Sequence, residues 1–391
     1  MRLLVMVRHF APSTRAVGVT TRRACLSLPP GTCHVLTADR SFDPDGIFEP
    51  AFTADLPVTR VTARLRGRCG DQPLARGLDY ALAVVQAACR LHAEAPFDAV
   101  VVHYPCRFTL QAGLLVHELT RLPMVVHMHD YFAEVLHDIH PARILWWRMI
   151  DRAALHRAAL VLVPTPRFAR VYRRRGLRAV MVFPHLTTPT TDRPAVRDGG
   201  GPLDIVFTGM VYEAHEHAVR AFVSAVAGLD GVRVRFATPS EADYLRPVSI
   251  GSVSRSECLS MQAQADVLFL PLGIESPYPL EVESCLPSKL MDYLAAGKPV
   301  LAVVPPRSYV AELIESTGAG VAVTTADPAA IRAAVDRLRD PAARRQMAAD
   351  ALRACERFAP AVHGARLTAA IRRACSPSAA PRASRPEVVS T

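Results

Sequence analysis

Apolar runs of strand length alternate with stretches of helical pattern along nearly the whole chain, and the alternation is interrupted once. In the first half the runs are RLLVMV (2–7), CHVLT (33–37), DAVVVHY (98–104), PMVVHMH (123–129), ALVLVP (159–164) and AVMVFP (179–184). They are continuously apolar, the pattern of strands covered by helices on both faces. A polar, turn-forming stretch, TTPTTDRPAVRDGGGP (187–202), breaks the rhythm. It restarts with LDIVFTG (203–209), VRVRFA (232–237), DVLFLP (266–271), PVLAVV (299–304) and GVAVTT (320–325), with helices near 214–228, 256–264 and 288–296 between them. Such alternation predicts an α/β chain with parallel sheets, in two Rossmann-like domains that face a central cleft. The expected division is an N-terminal domain over 1–186, a linker over 187–202, a C-terminal domain over 203–360, a closing helix over 361–375 and a disordered tail over 376–391.

Length agrees with this division, because 391 residues exceed what one core usually organises. No apolar stretch reaches the roughly 18 to 20 residues of a membrane span, and the opening run MRLLVMV is too short for a secretory leader. A cytoplasmic protein is expected. Nine cysteines without CxxC spacing read as reduced thiols, not as disulfides or structural zinc.

The net charge of +10 is concentrated, with ten arginines and one acid, Asp151, between Arg143 and Arg178. No nucleic-acid recognition motif accompanies them, so nucleic acid is not an expected partner. Trp146 and Trp147 in RILWWRMIDRAALHR leave two readings open: a basic face that meets anionic lipid or a lipid-linked acceptor, or a solvated helix with its tryptophans turned inward.

The two lysines of the chain, Lys289 and Lys298, fall within one stretch, PSKLMDYLAAGKPVLA (287–302). Pro287 fixes the backbone ahead of a short helix, Ser288 is expected to cap it, and Gly297 with Pro299 stops it. The amino end of such a helix carries unpaired N–H groups and a partial positive charge, to which Lys289 adds a full one. Asp292 lies one turn on. A cation and amide donors beside a carboxylate suit a nucleoside diphosphate, with the phosphates at the helix end and the ribose on the acid. The competing reading is a surface ion pair between Lys289 and Asp292, and the residues alone do not choose between the two.

The stretch PSKLMDYLAAGKPVLAVV resembles the donor-binding signature of GT-B glycosyltransferases of the family 4 (group 1) class, in the variant that begins Pro-Ser-Lys. The resemblance extends to GSVSRSECLSMQAQADVLFLPL (251–272) and IVFTGMVY (205–212), and more weakly to VRHFAPSTRAVGVTTRRACLSL, VVHMHDYF and VFPH upstream. It implies the GT-B fold and transfer of a sugar from a nucleotide-sugar to a glycan, lipid-linked or small-molecule acceptor, with retention of configuration and no metal cofactor. It places Asp292 at the ribose, Ser288 and Lys289 at the phosphates and sugar, His129 against the transferred sugar, and Gly18 in the glycine loop beside the diphosphate. Gly209 falls at the turn after the first strand of the C-terminal domain.

Three features depart from the pattern. The arginine and lysine that clamp the diphosphate in the family are replaced by Met210 and His215, so Lys289 and Arg255 are the candidates to supply charge. The first acid of the paired motif is out of register: Ser284 stands there, and Glu283 is one residue early. The first glycine loop is depleted. Two alternatives therefore accompany the transferase reading, a nucleotide-sugar epimerase on the same architecture and a degenerate, non-catalytic partner protein.

His129 and Asp130 end a strand at the expected cleft, where an imidazole beside an acid can orient a sugar hydroxyl. His127 shares a strand face with His129, but no third ligand with metal spacing accompanies them, so zinc is not expected. His103 ends the preceding strand and reads as core or rim. Glu275, Glu281 and Glu283 make the loop after DVLFLP acidic, and Glu283 is the favoured sugar acceptor among them.

Overall fold

The computed structural model describes residues 1–42, 48–50, 52–53, 55–62, 73–131, 141–193, 196–197 and 201–376. The tail expected to be disordered lies, from residue 377 on, outside the described residues.

The strand runs form two separate parallel sheets. The first contains β1 (Leu3–Met6), β2 (Cys33–Ala38), β3 (Val58–Val61), β4 (Ala99–His103), β5 (Met124–His127), β6 (Leu160–Val163) and β7 (Val180–Val182), in the spatial order β3-β2-β1-β4-β5-β6-β7. The second contains β8 (Leu203–Thr208), β9 (Val232–Ala237), β10 (Ser249–Gly251), β11 (Val267–Pro271), β12 (Val300–Val303) and β13 (Gly320–Val323), in the order β10-β9-β8-β11-β12-β13. All the expected strands are present, most of them shortened at their ends, and two edge strands join them. The sequence did not announce β3 or β10: each is only three or four residues long, and SIG in β10 has one apolar residue.

Each sheet is packed on both faces. Leu4, Met6, Val100 and Val102 belong to one apolar cluster of the first sheet, and Leu3, Val5, Ala99 and Val101 to another. The second sheet is likewise sandwiched. The last helix, α13 (Pro360–Cys375), returns to the first sheet, where Leu367, Ala370 and Ile371 pack with Leu3 and Val5.

This topology fixes where a ligand can sit. Sheet order reverses between β1 and β4 and again between β8 and β11. The crevices of such sheets open at the carboxyl ends of the strands on either side of the reversal. In the first domain those ends lead to helix α1 (Ala16–Leu26) and to the histidines that close β4 and β5. In the second they lead to Gly209 and to the loop before α8 (Pro279–Ser284) and α9 (Ser288–Ala295).

Candidate active site

The C-terminal side of the site is organised by a glycine and a lysine. Gly209, just after β8, has φ +117°, a conformation suited to glycine, and a Cβ there would lie 2.5 Å from Lys289 Cε. The absent side chain is the space that the Lys289 stem fills. The Lys289 ammonium stands 5.4 Å from the centre of the Phe207 ring, within cation–π reach. Burial lowers its pKa to about 8, against the raising influence of Cys285 and Asp292.

His215, on α6 (Glu213–Val226), is buried beside this lysine. Its Nδ1–H donates to the Met210 carbonyl at 3.2 Å, and burial, followed by the Lys289 charge, holds its pKa well below the usual histidine value. A neutral imidazole therefore stands where the family resemblance calls for a cation, and Lys289 brings a cation to the same turn. Met210 is exposed.

The helix that carries Lys289 begins differently from the expectation. Pro287 occupies the N-cap position and no side chain caps the helix, so Ser288 is its first residue and not its cap. Proline cannot accept a hydrogen bond through its side chain, and the end of α9 is left open to an outside acceptor.

Asp292 does not pair with Lys289 on a surface; it is buried between two arginines. Arg23 Nη2, from α1 of the other domain, donates to Asp292 Oδ1 at 2.6 Å, and Arg255 Nη2, from α7 (Arg255–Gln264), lies 3.3 Å from Oδ2. Arg23 Nη1 is buried without a hydrogen-bond partner among the described residues. The Arg255 backbone N–H donates to the carboxylate of Glu49, a further bridge between domains. Burial, then the charges of Arg23 and Arg255, lower the pKa of neighbouring Arg22. Three guanidiniums thus stand close together, two of them on one carboxylate. Arg255 lies at the acid expected to hold the ribose.

The N-terminal side is a chain of buried histidines. His103 and His127 are register partners on β4 and β5, and His129 follows two residues beyond. Thr21 Oγ1 hydrogen-bonds His103 Nδ1 at 2.9 Å, His103 Nδ1 and His129 Nε2 are 3.1 Å apart, and His129 Nδ1 lies 3.0 Å from His185 Nε2. Both nitrogens of His129 are therefore engaged by histidines. His185 holds the ring from its Nδ1 side. The His127 and His129 rings lie 4.2 Å apart, tilted by 40°, with His127 Nε2 buried and unpaired among the described residues.

All four rings titrate low, because burial penalises the imidazolium. For His103, His127 and His129 the pKa falls well below the usual value, reinforced by the neighbouring histidines; for His185 it falls to about 4, reinforced by Arg23. Burial also raises the Asp130 carboxyl to about 6. The expectation that His127 and His129 lack a third metal-type ligand is corrected here, since ligand nitrogens of His103, His127 and His129 lie within 4.8 Å of one another.

Two further predicted residues take quieter places. Gly18 sits in the first turn of α1 rather than in a loop, with the His9 and Ser13 carbonyls 3.0 and 3.2 Å from where its Cβ would be. Its missing side chain accommodates the chain's own backbone. Glu283 is half-buried on α8, whose Ser284 carbonyl accepts from Thr165 Oγ1 of the first domain at 2.6 Å. The structure thus gathers Gly209, His215, Lys289, Asp292 and Arg255 along one wall and His129 along the other. It adds Arg23, Thr21 and His185, none of them singled out in the sequence, since Arg23 meets Asp292 across 269 positions and His185 meets His129 across 56, and it draws in His103, which the sequence read as core or rim.

Residues 5–185 match the family described as "Glycosyl transferase 4-like domain". Among solved structures, sucrose-phosphate synthase from Thermosynechococcus elongatus superposes with a TM-score of 0.68 at 16% identity, covering 95% of this chain and 98% of that one. Anabaena HepE, solved with UDP and glucose, gives 0.68 at 15% identity over 95% of this chain and 99% of its own. HepE with UDP-glucose gives 0.65 at 15% identity over 95% and 100%. Likeness at these identities is a likeness of fold, and the fold is GT-B, with two Rossmann-like domains. No curated protein matches the chain in sequence.

Proposed function

We propose that this chain is a glycosyltransferase that moves a sugar from a nucleoside diphosphate donor to a glycan, lipid-linked or small-molecule acceptor, with retention of configuration. The observation that carries the reading is Lys289: a half-buried ammonium beside Gly209, at the uncapped start of α9 and one turn from a buried carboxylate. Departure of a nucleoside diphosphate concentrates negative charge at the phosphates. A preorganised cation and free helix amides stabilise that charge without reorganising at the moment of reaction. Lys289 takes the place left by Met210 and His215, Asp292 receives the ribose hydroxyls, and Arg255 with Arg23 turns to the phosphates as the ribose displaces them. His129 faces the transferred sugar and Glu283 accepts from its hydroxyls. No metal enters this scheme, because the leaving-group charge is met by side chains and amides.

UDP is the first donor class to test, since HepE was solved with UDP and UDP-glucose. The acceptor side is read from α4 (Pro141–Arg157), where Leu145, Trp146 and Met149 are 62%, 52% and 61% exposed while Trp147 is buried against Phe108. That apolar strip among arginines fits a cytoplasmic enzyme resting on an anionic bilayer. Among the described residues, no helix is long and apolar enough to cross a membrane.

The test is thermal stabilisation of the purified chain by UDP, GDP, TDP, ADP and their sugar conjugates, followed by product analysis with and without acceptor. A shift with one nucleotide and a sugar moved only when acceptor is present supports the transferase. A changed free sugar without acceptor means an epimerase. No shift with any nucleotide means a degenerate partner protein, the reading that Met210 and the doubly paired Asp292 favour.

A further inference from the structure

The histidine cluster contains more ligand chemistry than sugar transfer uses. His127 and His129 stand two residues apart on one strand and so present their side chains to the same face. His103 is the register partner of His127 on the adjacent parallel strand. An H-x-H pair on one strand with a histidine beside it on the next brings three imidazoles to one point. Here they are buried, with ligand nitrogens within 4.8 Å of one another.

Two details point to a ligand beyond the protein. His127 Nε2 is fully enclosed and has no hydrogen-bond partner among the described residues, an arrangement that costs free energy unless something else takes its lone pair or proton. His129 meanwhile has the outer partner that metal-binding histidines carry: its Nδ1 lies 3.0 Å from His185 Nε2, which fixes the ring and leaves Nε2 to face His103. His103 Nδ1 and His129 Nε2 are 3.1 Å apart. Two nitrogens bound tetrahedrally to zinc at about 2.0 to 2.1 Å stand roughly 3.3 Å apart, so this pair needs almost no movement. His127 closes the remaining distance by turning about its side-chain torsions.

We propose that His103, His127 and His129 form a binding site for one divalent transition ion of the zinc class, an N3 site. Three neutral imidazoles suit zinc, cobalt, nickel or copper and give magnesium and calcium no oxygen ligand. On binding, the proton shared by His103 and His129 leaves the bonding nitrogen of its ring for the other nitrogen or for solvent. The ion takes the Nε2 of His129, so it acts as an inhibitor and not as a cofactor. That last consequence rests on the transferase reading; the binding itself does not.

The full-length chain, stripped with chelator, is titrated with zinc by equilibrium dialysis and separately with cobalt while the visible spectrum is followed. The expected result is one ion per chain, a tetrahedral cobalt spectrum without a sulfur-to-metal charge-transfer band, and no competition from excess magnesium. His127→Ala and His103→Ala each weaken binding by more than about tenfold, since loss even of an outer partner costs about 10- to 100-fold. Should the alanine variants fail to fold, His127→Gln retains polarity and most of the volume and carries the same expectation. The absence of stoichiometric binding overturns the site. So does a thiolate band, or binding unchanged in a folded His127 variant. Stoichiometric zinc binding in a chain that binds no nucleotide upholds the site and removes only the inhibitory consequence.

Discussion

At the scale of single residues, the two lysines separate by what surrounds them. Lys289 projects into the space left by Gly209, whereas Lys298 is buried at the far end of the same helix, with burial and then Asp266 setting its titration. Lys289→Ala is expected to weaken nucleotide binding by at least about tenfold, the scale of one charge-assisted contact of about 1.5 to 3 kcal/mol. Lys298→Ala lowers the melting temperature with little change in affinity. Equal effects on affinity, measured by calorimetric titration, would remove Lys289 from the phosphate site. The pH dependence follows from the same residue. A pKa near 8 in the free protein leaves Lys289 charged below that pH and neutral above it, so nucleotide affinity falls as pH rises through about 8. The fall disappears in Lys289→Ala.

The histidines make an acid-side prediction whose sign is set by linkage. Unfolded, His185 takes a proton near 6.5; folded, it resists protonation down to about 4, so between those values the unfolded chain binds more protons and acid favours it. His185 alone accounts for on the order of 3 kcal/mol lost across that window. His103, His127 and His129 act in the same direction. Asp130, raised to about 6, acts in the opposite direction over part of the window, so four imidazoles are set against one carboxyl. Urea unfolding at pH 7, 6 and 5 is expected to show a steep loss. A flat profile would mean that the rings are not packed together as described.

At the scale of elements, what was legible in the sequence was what is decided locally. Runs such as VLFLP and VLAV are buried on both faces, and their composition declares it. The short helix α9 was legible because Pro287 and Gly297 punctuate it, yet its cap was misplaced: Pro-Ser fits a cap at either residue, and only backbone geometry decides. Strands β3 and β10 were illegible because an edge strand this short is held by its neighbour's hydrogen bonds and not by its own side chains. The tryptophan pair on α4 divides in the same way. Trp147 turns inward onto Phe108, and Trp146 stays out with Leu145 and Met149. Co-sedimentation with anionic vesicles tests that strip. Binding is expected to weaken several-fold in Trp146→Ser with Met149→Ser, to weaken also with added salt, and to be absent with neutral vesicles. Binding unaffected by the double substitution would place any membrane contact elsewhere.

At the scale of the whole molecule, the two domains are joined across the cleft by groups that the proposed ligand would claim. Arg23 from one domain and Arg255 from the other both hold Asp292, and Glu49 holds the backbone at Arg255. A carboxylate that binds ribose hydroxyls cannot keep both arginines, so ligand entry exchanges an interdomain ion pair for a ligand bridge. The guanidiniums released in this way would stand beside the proposed phosphate site, and Arg23 Nη1 has an N–H to offer. On the proposed reading, the charge missing at Met210 and His215 would be drawn partly from the opposite domain, and nucleotide affinity would depend on closure. Arg23→Ala is therefore expected to enlarge the radius of gyration of the free chain in solution scattering and to weaken nucleotide binding together. A double-mutant cycle with Asp292→Asn is expected to give a coupling of about 0.5 to 3 kcal/mol in stability. If Arg23→Ala weakens binding while the free chain keeps its dimensions and the cycle shows no coupling, Arg23 serves the ligand alone. In that case the closed arrangement is held by the Thr165–Ser284 and Arg167–Glu312 contacts instead, and substitutions there are the ones that open it.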